Sequence, residues 1–370
     1  MKVRNNLAQL RQRRGLPAAK LASLIGVSRQ TVYAMEAGTF IPNTVVALNL
    51  AQALSVSVED IYCLVNEGVP LHTREAELLP GVPELYAGQP VRLCRVDNRL
   101  MATFPEPGIW GLPTADGIVL HFGGTTKKTT VQVFEEDSTL NRRLLIAGCD
   151  PGISILAHHL LREGVDLMAT NANSVRALEL LKDGAIHIAG THLGEGENGE
   201  SNLAAVKKLF RAGTAGVFSF ARWETGILTA RENPKNIHSV ADFGRSDVKI
   251  INREKGAGAR LLLDAELRKA QIAPKDVAGY DEIAIGHLPA ARRVRSGEVD
   301  CCLATKSAAL VFGLNFIPLM TERYDLVIRR KHLKLPQIQA FLETLGRAAF
   351  RRELEGTGGY DASIAGDRIL

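Results

Sequence analysis

Two segments of this chain combine glycine with polar residues in a pattern that suits a site for a polar ligand. Residues 150–154 (Asp-Pro-Gly-Ile-Ser) follow an apolar run and open a predicted helix, and residues 255–259 (Lys-Gly-Ala-Gly-Ala) precede another. The first N–H groups of a helix are unpaired and partly positive, so they attract anionic and strongly polar ligands. Gly256 and Gly258 let the backbone approach a ligand closely, and Lys255 adds a positive charge. The two segments predict a site for a small anionic or polar ligand.

Three further residues are candidates for the same site. Thr191 and His192 end another predicted strand, and ligands of open α/β sheets lie outside the carboxyl ends of the strands. Tyr324 either lines the same cleft or packs in the core, and turn chemistry or helix capping would also explain the other positions. The predicted ligand-binding residues are Asp150, Gly152, Ser154, Thr191, His192, Lys255, Gly256, Ala257, Gly258 and Tyr324.

Catalysis is a weaker interpretation of the same residues. Cys149 could act as a nucleophile with His187 or His192 as its base, but Cys149 ends a predicted buried strand and lacks the local signature of a catalytic cysteine. The loop at 255–259 lacks the third glycine of a dinucleotide-binding motif and the lysine of a P-loop. We therefore expect a binding protein that is not an enzyme.

The sequence predicts neither a metal ion nor a cofactor. Its five cysteines are scattered without the paired spacing of metal sites, so we expect reduced thiols. These cysteines are Cys63, Cys94, Cys149, Cys301 and Cys302. The pair His158 and His159 is more typical of a helix face than of a metal site.

Strands alternate with helices from residue 142 onward, and these elements must position the candidate ligand residues. The apolar run 144–149 shows no polar alternation, as expected for a parallel strand that is covered on both faces. A second round of alternation begins near residue 248, so we expect two α/β lobes with doubly wound parallel sheets. The segment 216–234 is expected to cross between the lobes as an extended hinge. The predicted helices are 153–162, 174–182, 260–270, 288–296 and 307–312, and the predicted strands include 166–170, 186–189, 249–252 and 299–304.

Residues 142–350 resemble the type II periplasmic-binding-protein fold, in particular cytoplasmic substrate-binding domains related to molybdate-binding proteins. The resemblance rests on five segments in order, which are Ala147-Gly-Cys-Asp-Pro-Gly, Ile188-Ala-Gly-Thr-His-Leu, Asn252-Arg-Glu-Lys-Gly-Ala-Gly-Ala-Arg, Gly297-Glu-Val-Asp-Cys-Cys-Leu-Ala and Glu322-Arg-Tyr-Asp-Leu-Val-Ile. It implies a ligand between two lobes, with molybdate or a related oxyanion as one candidate. The family commonly has Arg-Gly-Ser-Gly-Thr-Arg where this chain has Lys-Gly-Ala-Gly-Ala-Arg, so both hydroxyls of that loop are missing.

The N-terminal segment has the turn and cap residues of a helix-turn-helix. Pro17 suits the start of one helix, Gly26 suits its left-handed end, and Ser28 can cap the next helix. That next helix, 29–36, turns polar side chains outward at its N-terminal end, where they suit base edges and phosphates in a major groove. The predicted DNA-binding residues are Ser28, Arg29, Gln30, Thr31 and Tyr33.

Residues 3–65 resemble the Cro and lambda-repressor-like helix-turn-helix family, and the resemblance implies binding to double-stranded DNA. Because one such unit contacts a half-site, it also implies a homodimer. The family usually has Thr or Ser and then Gln at the start of its second helix, where this chain has Pro17 and Ala18, so a customary phosphate and base contact is missing. A short helical bundle that binds nothing is the alternative.

Charge supports the DNA-binding interpretation. Residues 1–66 contain seven lysines and arginines against three acidic side chains, a net charge of +4, whereas the whole chain carries +5. The positive charge is therefore concentrated in one small segment, as contacts with DNA phosphates require.

The sequence predicts a multidomain fold with four segments. Residues 1–66 form an all-α helix-turn-helix domain, and residues 67–141 form a linker and a small β-rich module with strands near 89–96, 118–122 and 129–134. Residues 142–350 form the two-lobed α/β domain, and residues 351–370 form a C-terminal tail. Lys127 and Lys128 in the β-rich module either contact DNA or lie at a solvated hairpin tip.

These features together predict a ligand-responsive transcriptional regulator. No apolar run of the 370 residues is long enough to span a membrane and no signal peptide is present, so we expect a cytoplasmic protein without a membrane partner. The alternative is a cytoplasmic solute-binding or molybdenum-cofactor-related protein that uses its N-terminal domain for protein contacts.

Overall fold

A computed structural model describes residues 2–65, 72–79, 86–105, 114–122, 128–193 and 201–370. The chain divides into two compact units, Met1–His72 and Thr73–Leu370. Within the described ranges, no helix combines the length and the apolar character that crossing a membrane requires.

The N-terminal unit is a bundle of short helices around one core. Its elements are β1 (Lys2–Asn5), α1 (Leu7–Arg13), α2 (Ala18–Ile25), α3 (Arg29–Glu36), α4 (Thr44–Leu54), α5 (Val58–Ile61) and β2 (Tyr62–Val65), and β1 pairs with β2. Pro17 precedes α2 without a side-chain cap, and Gly26 ends it with a φ of 71°. The Ser28 hydroxyl accepts a hydrogen bond from the Thr31 N–H at 3.0 Å, which starts α3. The predicted helix-turn-helix fold is confirmed.

A closed barrel follows, where the sequence predicted a linker and a small β-rich module. Its strands are β3 (His72–Leu78), β4 (Pro90–Val96), β5 (Arg99–Thr103), β6 (Gly117–Phe122) and β7 (Lys128–Val133), in the order β3-β5-β4-β6-β7. Leu93, Val119 and Val131 fill its interior. Three of these strands lie where the sequence predicted strands, while β3 and β5 were not predicted.

The rest of the second unit is built on one large mixed sheet flanked by helices. Its strands are β8 (Arg143–Gly148), β9 (Asp166–Asn171), β10 (Ile188–Thr191), β11 (Ala215–Thr229), β12 (Ile250–Arg253), β13 (Ile283–Ala284), β14 (Cys301–Thr305), β15 (Asn315–Arg329) and β16 (Tyr360–Asp361). Its helices are α6 (Asp137–Leu140), α7 (Ile153–Arg162), α8 (Ser174–Lys182), α9 (Ser201–Leu209), α10 (Gly258–Lys269), α11 (His287–Arg295), α12 (Lys306–Phe312), α13 (Pro336–Gly346) and α14 (Ala348–Gly356), with 3-10 turns at Val240–Gly244, Pro274–Asp276 and Arg330–His332.

Two lobes share this sheet, whose strand order is β13-β12-β14-β11-β15-β10-β8-β9, with β16 paired to β11. Lobe I contains β8, β9 and β10, which are parallel to one another, with α7, α8, α9, α13 and α14. Lobe II contains β12, β13 and β14, also parallel, with α10, α11 and α12. The prediction of two α/β lobes is confirmed.

Two long strands join the lobes, and here the prediction of a purely parallel sheet was wrong. Strands β11 and β15 run antiparallel to each other over 15 residues each and pass through both lobes. The predicted hinge at 216–234 overlaps β11, but the second crossing strand, β15, was not predicted. Strand β11 is buried along most of its length and β15 is buried from Tyr324 to Ile328, so these segments lack the polar alternation that would indicate an antiparallel strand.

Lobe I packs on both faces of its part of the sheet. One face carries Leu156, Phe341 and Phe350, and the other carries Leu178 together with Met101 of the barrel. The barrel is therefore part of the same packed body as lobe I.

The segment 351–370, predicted to be a tail, is integrated into lobe I. It completes α14, adds β16, and pairs again with β11 through the bridge between Phe218 and Arg368. The Gly366 N–H donates to the Ser219 carbonyl at 2.8 Å.

Candidate ligand and DNA sites

The N-terminal end of α3 carries the residues predicted to contact DNA. Arg29, Gln30 and Tyr33 are exposed, Thr31 is half-buried, and Ser28 is the N-cap. The Arg29 guanidinium donates a hydrogen bond to the Tyr33 hydroxyl at 2.9 Å and lies 5.3 Å from the centre of its ring. The five predicted residues thus share one exposed helix end with unpaired backbone N–H groups.

A buried polar cluster lies where the two lobes meet. Cys149 follows β8 and His192 follows β10 on lobe I, while His287 begins α11 on lobe II. The Cys149 sulfur is 3.1 Å from Nε2 of His192 and 4.0 Å from Nε2 of His287. Cys149 is 9% exposed and each histidine 1%. One potential ligand atom from each residue lies within 4.8 Å of the other two.

Glu322, from the joining strand β15, faces the His192 nitrogen that points away from Cys149. Its Oε2 atom lies 3.5 Å from Nδ1 of His192 and accepts hydrogen bonds from the Trp223 indole at 3.3 Å and from the Thr225 hydroxyl. Its Oε1 atom is buried without a hydrogen-bond partner among the described residues. The order carboxylate, imidazole, thiol therefore runs from Glu322 through His192 to Cys149.

The pKa values of the two imidazoles in the cluster are shifted in opposite directions. Burial by itself lowers the pKa of His192, but the Cys149 sulfur and the Glu322 carboxylate outweigh it and raise this pKa to about 10. Burial opposes ionisation of Glu322, yet His192 holds the pKa of this carboxyl below its ordinary value. Burial, with Arg253 and His192 nearby, lowers the pKa of His287 well below its ordinary value. The surroundings therefore favour a positive charge at His192 and a neutral imidazole at His287.

Aromatic rings enclose the cluster. Tyr324 stacks on His192 with 5.9 Å between ring centres, and its hydroxyl accepts a hydrogen bond from the Cys149 N–H at 3.3 Å. Trp223 meets His192 and His287 at steep angles, with ring centres 5.0 Å and 5.6 Å away. These rings fix the imidazoles and keep bulk water from them.

Asp150 forms a neighbouring polar group at the same lobe boundary. Its Oδ1 atom accepts hydrogen bonds from the Gly152 N–H and the Tyr360 hydroxyl, both at 2.7 Å, while Oδ2 is buried without a partner among the described residues. Burial raises the pKa of Asp150 to about 7. The Ser307 hydroxyl of lobe II donates to Tyr360 at 3.3 Å, so this group also bridges the lobes.

A cavity of about 310 Å³ is lined in part by Trp223, which packs on the buried cluster, and by Tyr360, which bonds Asp150. Its other lining residues are Arg222, Glu224, Lys306, Thr321, Gly359 and Asp361. The Lys306 ammonium donates to the Glu224 carboxylate at 2.6 Å across the cavity wall. This volume is enough for a small polar ligand.

The predicted loop of lobe II closes against lobe I. The Asn173 amide donates a hydrogen bond to the Lys255 carbonyl at 3.1 Å, while the Lys255 side chain is exposed. A Cβ atom on Gly256 would lie 3.0 Å from Asn173, and one on Gly258 would lie 2.6 Å from His192. Ala257 between them is buried as the N-cap of α10. The two glycines therefore let the lobes meet.

Two predicted ligand residues lie apart from the cluster. Ser154 is exposed, and its hydroxyl donates to the Pro151 carbonyl of its own turn at 2.8 Å. Thr191 is buried, but its hydroxyl faces Asn202 at 3.5 Å within lobe I. The structure brings Asp150, His192 and Tyr324 together instead.

Sequence reasoning missed several residues of the cluster. His287, Glu322 and Trp223 come from three separate elements, so no spacing in the sequence links them. Cys149 contacts His192, whereas His187 lies in the core, where its Nδ1 accepts the Leu145 N–H at 3.1 Å.

The cysteines and the other basic candidates of the sequence have identifiable surroundings. Cys94, Cys149, Cys301 and Cys302 are buried free thiols, as expected, and the Cys63 side chain is outside the described part of the chain. His158 bonds Arg162 on its own helix, and His159 contacts Glu353 at 2.8 Å. Lys128 contacts Glu75 at 2.6 Å, and Lys127 lies outside the described residues.

Comparison with known families and proteins supports both parts of the architecture. A PBP superfamily domain matches residues 157–346, and a helix-turn-helix matches residues 7–61. The protein YvgK of Bacillus subtilis (strain 168) is 32% identical over 245 residues, which is 66% of this chain and 79% of YvgK. The HTH-type transcriptional regulator YgzD of the same strain is 38% identical over 65 residues, 18% of this chain and 98% of YgzD.

Comparison with solved structures gives weak superpositions at low identity. The sulfate-binding protein SubI from Mycobacterium tuberculosis H37Rv superimposes with a TM-score of 0.45 at 16% identity, over 59% of this chain and 86% of SubI. Peb3 from Campylobacter jejuni does so with a TM-score of 0.39 at 14% identity, over 58% of this chain and 97% of Peb3. The chain belongs to the PBP superfamily, and it carries a Cro/lambda-repressor-like helix-turn-helix domain at its N-terminus.

Proposed function

We propose that this protein is a cytoplasmic, ligand-responsive transcriptional regulator. Helix α3 binds double-stranded DNA, and the cleft between the lobes binds a small anionic or polar ligand. A ligand that binds the closed form of the two lobes more tightly than the open form then changes the affinity of the protein for DNA. One observation carries this proposal: a separately folded unit with an exposed polar helix end is joined to a two-lobed domain whose buried cluster takes side chains from both lobes.

The DNA-binding part is supported by the exposed side chains of the N-terminal unit. Arg29 and Gln30 stand at the start of α3, where they suit base edges. Exposed apolar side chains lie in and before α4, with Ile41 66%, Val45 65% and Leu48 57% exposed. A homodimer would cover such apolar residues and place two α3 helices on two half-sites.

The ligand class is supported by buried donors at the lobe boundary. Arg253 is 2% exposed, and its Nε and Nη2 atoms donate to the Glu254 carboxylate, whereas Nη1 has no hydrogen-bond partner among the described residues. Arg253 also lies close enough to His287, at the lobe boundary, to lower the pKa of this imidazole. A buried guanidinium N–H that lacks an acceptor suits an anion, and oxyanions, including molybdate, are the first class to test.

DNA binding is tested with fragments of the host genome selected on the full-length protein. In fluorescence anisotropy, Arg29→Ala with Gln30→Ala should weaken binding to a selected fragment by about 1–3 kcal/mol for each lost base contact. Arg231→Ala, which removes an exposed positive charge from the second unit, is the control. Equal affinity of the double variant and the control, or no selected fragment, would contradict the proposal and favour an N-terminal domain that mediates protein contacts.

The response is tested on the same fragment. Sodium molybdate, tungstate, sulfate and phosphate are compared for thermal stabilisation of the protein and for a change in its DNA affinity. A ligand that binds the closed lobes must change both, because the coupling is reciprocal. Stabilisation without any change in DNA affinity would leave a solute-binding protein as the better description.

A further inference from the structure

We infer that Cys149, His192 and His287 bind one transition metal ion of the zinc class, and that this ion joins the two lobes. The inference adds a second ligand class to the cleft. It rests on the proposed function in one step, which is the link between lobe closure and DNA binding.

The spacing of the three side chains fits a tetrahedral ion. With bonds of about 2.3 Å to sulfur and 2.0–2.1 Å to nitrogen, tetrahedral zinc places its sulfur and nitrogen ligands about 3.5 Å apart. The Cys149 sulfur lies 3.1 Å from Nε2 of His192 and 4.0 Å from Nε2 of His287, on either side of this value. Shifts of a few tenths of an ångström would bring both nitrogens to the required distance.

The donor set and its support also fit zinc. Thiolate and imidazole are ligands that zinc and copper prefer over magnesium or calcium. Metal-bound histidines usually face a carboxylate with their other nitrogen, and Nδ1 of His192 lies 3.5 Å from Glu322. Trp223 and Thr225 donate hydrogen bonds to this carboxylate and hold it in place.

A nucleophilic cysteine with a histidine base explains less of the geometry. A base needs one imidazole, but the Cys149 sulfur faces two. A nucleophile must also reach its substrate, whereas Cys149 is 9% exposed and its neighbour His192 is covered by the rings of Tyr324 and Trp223. Metal coordination accounts for both imidazoles and requires no substrate access.

The placement of the ligands gives the ion a role in lobe closure. Cys149 and His192 belong to lobe I, while His287 begins α11 of lobe II, so separated lobes leave the site incomplete. An ion with three protein ligands therefore binds the closed form more tightly and shifts the population toward it. Its fourth position stays open for water or for an anionic ligand.

Cobalt substitution in the full-length protein tests this site. After treatment with a chelator, the wild-type chain should bind one Co²⁺ with a thiolate charge-transfer band in the near ultraviolet and the intense visible bands of tetrahedral cobalt. Cys149→Ala should lose the charge-transfer band, and His287→Gln should lose the tetrahedral bands. Glu322→Gln should keep the spectrum and bind cobalt about 10- to 100-fold more weakly, because Glu322 orients a ligand without being one. Cys302→Ala and His158→Gln, outside the cluster, are the matched controls.

A second measurement does not depend on variants that may fold poorly for other reasons. Zinc chloride should raise the melting temperature of the wild-type protein, and a chelator should reverse the rise. Unchanged cobalt spectra in Cys149→Ala, an octahedral spectrum in the wild type, or no zinc stabilisation would each overturn the inference. Rapid alkylation of Cys149 at the same rate with and without zinc would also overturn it, in favour of a reactive thiol.

The same samples separate this inference from the proposed function. Zinc binding without binding to any selected DNA fragment would end the proposed function and leave the metal site standing. DNA binding that responds to molybdate, in a protein that binds no zinc or cobalt, would end the metal site alone.

Discussion

Gly258→Ala should weaken ligand binding by opposing lobe closure. Gly258 is the first residue of α10, and an added Cβ atom would lie 2.6 Å from the ring and the carbonyl oxygen of His192. Ordinary contact begins at 3.4 Å, so the lobes must separate locally by the difference, about 0.8 Å. The carbonyl oxygen belongs to the backbone and cannot rotate away. The hydrogen bond from Asn173 to the Lys255 carbonyl, 3.1 Å long, would stretch as a result.

The expected magnitude follows from these contacts. Overpacking of this kind costs about 1–3 kcal/mol, and here the cost falls on the closed form. Since 1.4 kcal/mol corresponds to a factor of ten, ligand affinity should fall by about 5- to 150-fold. The N-terminal unit folds as a separate unit, so its stability should not change.

Intrinsic fluorescence measures this effect. The chain has two tryptophans, and Trp110→Phe leaves Trp223, which packs against His192 and His287. In that background, Gly258→Ala should shift the Trp223 emission to the red without ligand, and titrations with zinc chloride and sodium molybdate should give the lower affinity. Gly356→Ala is the control, because a Cβ atom there meets nothing within 4 Å. Identical emission and affinity in the two variants would refute the view that closure at Gly258 creates the binding form.

Three other predictions concern stability. Ser28→Ala removes the cap of α3 and should cost about 1 kcal/mol, which hydrogen exchange of the α3 amides would detect as faster exchange. Burial lowers the pKa of His187 from 6.5 to about 3, and its Nδ1 accepts the Leu145 N–H. The unfolded chain therefore binds the extra proton, so the contribution of His187 to stability is complete above pH 6.5 and falls by about 1.4 kcal/mol per pH unit below it; in urea unfolding, His187→Gln should gain stability relative to the wild type as the pH is lowered from 7 to 5. Arg143→Ala removes the closer of the two arginines paired with the buried Asp116, with Arg92 remaining, and should cost about 1.5–3 kcal/mol in the same urea assay, and a cost below 1 kcal/mol would contradict this reasoning.

Local signals explain why much of the fold could be predicted from the sequence. The predicted helices 153–162 and 174–182 coincide with α7 and α8, because the amphipathic pattern and the Asn173 cap are encoded next to the helix they start. Strands β3 and β5 were not predicted. Strand β3 follows residues of linker-like composition, and β5 is defined by its pairing with β3 and β4 in the barrel, which is a tertiary feature.

The buried cluster depends on tertiary structure, so the sequence revealed it in part. His187 and His192 flank the same strand, and the strand limits decide their roles: β10 begins after His187 and ends before His192. His287 and Glu322 lie near Cys149 and His192 because of the order of the strands in the sheet. The hydrophobic periodicity of the sequence does not determine this order. Thr191 illustrates the converse, because its position at a strand end suited a ligand, but its side chain faces Asn202.

The path of the chain through the lobes has a consequence for the order in which they fold during synthesis. The chain leaves β11 at Thr229, builds most of lobe II, and returns to β15 at Asn315, which pairs with Thr229. The core of lobe II is therefore made mostly of residues from one continuous segment. Lobe I is interrupted, because Leu156 packs on Phe341 and Phe350, which the ribosome adds much later. Chains with local contacts close their cores faster than chains with distant ones. We therefore expect lobe II to reach its native packing while lobe I still exposes its unfinished face.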